Sequence, residues 1–108
     1  MKITSNFKVP LLEYPDVDSV KTALNRLNND KNTLFNRTVD AITEAHERNL
    51  TNIDLFKVEL KNKTSFLMRC PKNEWEEFLD RANVWFESVE EYERCSQILK
   101  LKNELNLN

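Results

Sequence analysis

Phe56-Lys57-Val58-Glu59-Leu60, Lys61-Asn62-Lys63 and Ser65-Phe66-Leu67-Met68-Arg69-Cys70 form the stretch on which the fold class turns. Phe56, Val58 and Leu60 alternate with Lys57 and Glu59; Phe66, Met68 and Cys70 alternate with Ser65, Leu67 and Arg69. A period of two belongs to a strand with one buried face. The pattern predicts a β-hairpin over 53–70 with a tight turn supplied by Asn62. Were 53–70 irregular, the chain would be all-α, because the segments on both sides carry helical spacing.

Upstream, Val17, Val20, Leu24 and Leu27 follow Asp16 at 3-4-3 spacing, which predicts a helix capped by Asp16 and closed by Asn28-Asn29-Asp30. Leu34, Phe35, Val39, Ile42 and Ala45 predict a second helix after Asn32, ending at Asn49 with Leu50 as the hydrophobic contact of a Schellman-type cap. Together 16–50 read as a helical hairpin. Residues 1–15, interrupted by Pro10 and Pro15, read as an extended arm or an edge strand at best.

Downstream, Pro71 ends the strand and Asn73-Glu74-Trp75-Glu76 has the form of a capping box. Trp75, Phe78, Leu79, Ala82, Trp85, Phe86 and Val89 then lie on one helical face, where tryptophans belong to a core more often than to a contact surface. Ser88-Val89-Glu90-Glu91 repeats the capping-box form, so 73–105 reads as a second helical hairpin, with helices near 74–86 and 89–105. The expected architecture is one α+β domain, predominantly helical: two helical hairpins flanking a small antiparallel hairpin or sheet.

The last helix carries two apolar stripes, Tyr92/Cys95/Leu99 and Ile98/Leu101/Leu105. A surface helix ordinarily needs one. Ile98, Leu101 and Leu105 therefore read either as core packed on the first hairpin or as an interface for a protein partner or a second copy. Within this hairpin, Glu90-Glu91-Tyr92-Glu93-Arg94-Cys95 is similar in kind to the short UVR-type helical hairpin, a protein-docking element. The likeness covers under a third of the chain and is one of pattern, not of family membership. Cys95 and Ser96 stand where that motif favours alanine.

The chain has 108 residues and no glycine, where average usage would supply about seven or eight. That excludes glycine-dependent phosphate loops, dinucleotide turns and nucleophile elbows. Asn28, Asn49 and Asn62 stand at the predicted chain reversals, since asparagine is the best substitute for left-handed backbone. Asparagine abundance also fits an AT-rich coding source such as a phage or low-GC bacterium.

The net charge of −2 argues against a dedicated nucleic-acid binder. Its distribution is uneven: Lys57 to Lys72 is basic, and Glu74 to Glu93 strongly acidic. The acidic run, with Glu87, Glu90 and Glu91, reads as a solvated face or a docking face for a basic partner. Glu87/Glu91 and Glu76/Asp80 are i,i+4 pairs, but without histidine or loop spacing no metal or cofactor is expected. The alternative function is nucleic-acid regulation through Lys57, Lys61, Lys63 and Arg69, against the ordinary reading of these as solvent-facing edge charges.

His46 is the sole histidine, and Cys70 and Cys95 sit in apolar patterns typical of inert core thiols. No catalytic set is assembled from these residue types. No signal-peptide core or membrane span is evident, so the sequons at Asn36, Asn49 and Asn62 read as chance and the expected location is cytoplasmic. The sequence points to a small non-enzymatic adaptor, inhibitor or regulator.

Overall fold

The computed structural model describes residues 9–107. Among them the order is β1 (Leu11–Tyr14), α1 (Val20–Asn29), α2 (Lys31–Glu47), β2 (Asn52–Leu60), β3 (Ser65–Pro71), a 3-10 turn (Lys72–Glu74), α3 (Trp75–Ser88) and α4 (Tyr92–Glu104). The fold is α+β and mostly helical, as the periodicity predicts. The sheet is mixed, not wholly antiparallel: the order is β1-β2-β3, with β1 parallel and β3 antiparallel to β2. Helices α1 and α2 supply the crossover that a parallel pair requires. The expected edge strand is thus Leu11–Tyr14, and the expectation for residues 1–8 lies outside the described residues.

The central strand buries five side chains that do not share one parity: Ile53 and Leu55, then Phe56, Val58 and Leu60. A bulge between Asp54 and Phe56 shifts the register by one residue, so both sets face the helices. Arg37 of α2 holds this bulge. Its Nε donates to the Leu55 carbonyl at 2.8 Å and an Nη donates to the Asp54 carbonyl at 2.9 Å. Helix α2 contributes Leu34, Phe35, Thr38, Val39, Ala41, Ile42 and Ala45 to the core. The opposite sheet face, carrying Leu11, Lys57 and Leu67 in one row, is exposed.

Helix α3 adds Trp75, Leu79, Ala82 and Phe86. Buried Trp75 donates its indole N–H to the Cys70 carbonyl at 3.0 Å, while half-buried Trp85 meets Phe86 edge-on and Phe35 at a tilt. Asp80 pairs with Lys102, and the Cys95 thiol lies near the Asn83 carbonyl. Those pairings run in opposite directions along the two helices, so α3 and α4 are antiparallel.

Several caps differ from the sequence expectation. Helix α1 is capped by Ser19, which accepts from the Thr22 N–H, while Asp16 forms an ion pair with Arg26 at 2.6 Å. Val17, ahead of the helix, is nevertheless buried, and Val20 is exposed. Asp30 both closes α1 and caps α2 through the Thr33 N–H. Neither capping box forms. The chain enters α3 through the 3-10 turn, and Ser88 is the last residue of α3, donating back to the Trp85 carbonyl.

Left-handed backbone occurs at Asn49, Lys63, Glu90 and Asn106. Of the three expected positions only Asn49 holds. Asn28 lies inside α1, and Asn62 instead accepts from the Thr64 N–H through its side chain. The hairpin loop spans three residues, so its third, Lys63, takes the left-handed position. Helices α2, α3 and α4 all end in Schellman motifs. The six-to-one bonds are Leu50 N to Ala45 O at 2.8 Å, Glu91 N to Phe86 O at 2.9 Å and Leu107 N to Lys102 O at 2.8 Å.

Replacing Arg37 by alanine strands two bulge carbonyls and is expected to cost about 2–3 kcal/mol in urea unfolding. Arg37→Lys should fall between variant and wild type; a loss below about 0.5 kcal/mol for alanine would show that water serves the carbonyls equally well. Lys63→Gly removes left-handed strain and should stabilise by roughly 0.5–1 kcal/mol, whereas Lys63→Val should destabilise.

Candidate protein-docking corner

The α3–α4 turn is built by the Schellman motif at the end of α3. Glu90 takes φ 62°, and Glu91 stands at the head of α4. This reversal brings together Glu87, Glu90 and Glu91 with Tyr92 and Glu93, all exposed. Tyr92 is 61% exposed. The residues around the turn, with Arg94 and Gln97, line an open depression of about 570 Å³.

Arg94 is the nearest cation in sequence, but its guanidinium is directed inward. Nε donates to Asn36 Oδ1 at 2.9 Å, and one Nη donates to Asp40 Oδ1 at 3.0 Å and to Gln97 Oε1 at 2.9 Å. The group also lies over the Phe86 ring. Arg94 therefore ties the start of α4 to α2. Among the described residues no ion pair engages Glu87, Glu90, Glu91 or Glu93. Four carboxylates and an aromatic hydroxyl thus stand free on a fixed turn.

The C-terminal stripe falls elsewhere. Ile98 and Leu101 are buried in the core and Leu105 is half-buried against it, so Ile98 and Leu101 offer no surface to a partner. The exposed apolar residues of α4 are Tyr92 and Leu99, the latter 60% exposed. Sequence spacing separates the two stripes but not which one faces inward; packing against both α2 and α3 decides that. Tyr92, which the spacing assigns to an apolar stripe, and Glu93, the last residue of the acidic run, join Glu87, Glu90 and Glu91 here because both lie in the first turn of α4.

The basic hairpin is partly compensated. Arg69 pairs with Asp54 at 3.0 Å and Lys63 approaches Glu59 at 3.8 Å. Lys57 sits on the open sheet face between Leu11 and Leu67, and Lys61 lies in the turn beside Glu13 and Glu59. Lys72 lies over the Trp75 ring. Phe66 is half-buried against the core.

His46 approaches Glu104 at 3.3 Å, linking the ends of α2 and α4. Both cysteines are free thiols. Burial pushes the Cys70 thiol up to about 12, with the Glu74 charge adding to it. Cys95 is also raised, by desolvation and then by Glu87. Both shifts keep the thiols protonated at neutral pH. Among the described residues no group of three or more His, Cys, Asp or Glu side chains could hold a metal ion, and no helix is long and apolar enough to cross a membrane.

The chain matches no protein-family model, no curated protein and no solved structure.

Thiol labelling at neutral pH should separate the cysteines: Cys95 should react slowly and Cys70 only on unfolding. Equal rates in the native protein would contradict the burial of Cys70.

Proposed function

We propose that the protein is a small non-enzymatic interaction module, of adaptor, inhibitor or regulator type, whose α3–α4 corner receives a basic surface of a protein partner. The observation that carries this reading is the set of free carboxylates of Glu87, Glu90, Glu91 and Glu93 around exposed Tyr92. Clustered like charges repel one another and cost stability, whereas a cationic partner converts that repulsion into attraction and faster encounter. Tyrosine adds rigid contact area and a polar tip. Glu90 supports the reading further, since asparagine or glycine would occupy its left-handed backbone more cheaply.

The nucleic-acid reading draws less support, because Arg69 and Lys63 already have carboxylate partners on the hairpin. The cytoplasm as location and a phage as source belong to the same proposal, as the setting in which a small inhibitor would work.

A photo-crosslinking residue at position 92 tests this in native lysate. The expected result is cross-linking to a protein through a lysine- or arginine-rich segment, weakened about tenfold or more by Glu87, Glu90, Glu91 and Glu93→Gln in combination. Raising ionic strength should weaken it as well. Capture that survives both changes, or cross-links formed only from a probe at Lys57, would sink the reading.

A further inference from the structure

Strand β3 is a sheet edge, and its outward backbone groups follow from the ladder. The Leu60 N–H donates to Thr64 O at 2.8 Å, and the Lys72 N–H donates to Thr51 O at 2.8 Å. Antiparallel alternation from those two pairs turns Phe66, Met68 and Cys70 toward β2 on either side of the bulge. It turns the N–H and C=O groups of Ser65, Leu67 and Arg69 away from β2. Among the described residues no strand pairs with that side. Ser65, Leu67 and Arg69 are exposed, Leu67 at 43%.

Edges of this kind are usually guarded by proline, lysine or brevity. The opposite edge, β1, has four residues between Pro10 and Pro15. Ser65–Pro71 has seven residues, no lysine, and proline only at its last position. Its one cation, Arg69, is held by Asp54 at 3.0 Å.

We infer that β3 pairs antiparallel with β3 of a second copy, joining two three-stranded sheets into one of six strands. The register is fixed by the free groups. Centred on Leu67, it sets Leu67 against Leu67 of the second copy and Ser65 against Arg69 of the second copy, in both directions. All three pairings fall where outward groups meet, giving roughly six backbone hydrogen bonds. The side chains agree with that register. On the outer face the two leucines meet, and each Arg69, held by its own Asp54, faces the uncharged Ser65 of the second copy, so the register sets no cation directly opposite another. On the inner face Phe66 lies against Met68 of the second copy, an aromatic–thioether pair. Both residues are half-buried in the single chain. The pairing extends the core to cover them. The surface lies on a different element from the acidic corner and does not depend on what the corner binds.

Light scattering or sedimentation from about 1 µM to about 500 µM reads the association directly. Wild type should rise to twice the chain mass. Leu67→Lys sets like charges across the twofold axis at an exposed site and should raise the dimer dissociation constant about tenfold or more. Its far-UV spectrum should be unchanged. Leu67→Cys, with Cys95→Ser, should form an intermolecular disulfide on mild oxidation, because facing residues in such a pair have Cα atoms about 5.5 Å apart. This second variant decides the matter if Leu67→Lys fails to fold. One chain mass at every concentration would overturn the inference, in favour of a vacant edge or of strand addition by a different protein. A dimer unaffected by Leu67→Lys, or a position-67 cysteine that stays reduced, would overturn it too.

Discussion

The Arg37 guanidinium, held between the carbonyls of Asp54 and Leu55, fixes the point at which β2 changes phase. Without that one-residue shift, either Ile53 and Leu55 or Phe56, Val58 and Leu60 would face solvent. With it, one short strand supplies five buried side chains to the helices and still pairs on both edges. The remaining layers follow. Helix α2 lies against β2, α3 and α4 pack on α2, and the second sheet face is left open.

Charge is divided by the same arrangement. Arg94 turns inward to Asn36, Asp40 and Gln97, which secures α4 and leaves the carboxylates of the neighbouring turn without a cation. On the hairpin the opposite happens. Asp54 and Glu59, brought to one face of β2 by the bulge between them, meet Arg69 and Lys63. The uneven charge of the sequence therefore becomes a basic hairpin with two of its cations paired and a free acidic corner. Exposed ion pairs of this kind contribute little to stability; their consequence here is which charges remain available.

Local pattern was legible wherever the physics is local. The alternation of Phe56–Leu60 and Phe66–Cys70 announces the hairpin, and the stripe from Trp75 to Phe86 announces α3. Asn49 was readable as a helix stop because asparagine tolerates left-handed backbone. The parallel pairing of β1 was not readable: four residues find their partner across two helices, and nothing in Leu11–Tyr14 specifies direction. Glu90 and Lys63 were missed for a related reason. Turn geometry assigns them left-handed backbone against their own preference. For the candidate site, Glu87, Glu90 and Glu91 were visible as charge, but the orientation of α4 was not. That orientation depends on Arg94 reaching α2 and on Ile98 and Leu101 filling the core.

The bulge is best tested by short-range proton contacts across β2 and β3 in solution NMR. Facing residues in non-hydrogen-bonded antiparallel pairs have Cα atoms about 4.5 Å apart, close enough for strong Hα–Hα contacts. The structure predicts such contacts for both Lys57–Leu67 and Asp54–Arg69, a combination that requires an extra residue on β2 between them. A contact from Leu55 to Arg69 in place of Asp54 would mean an unbroken register. It would contradict the arrangement of both sheet faces described above.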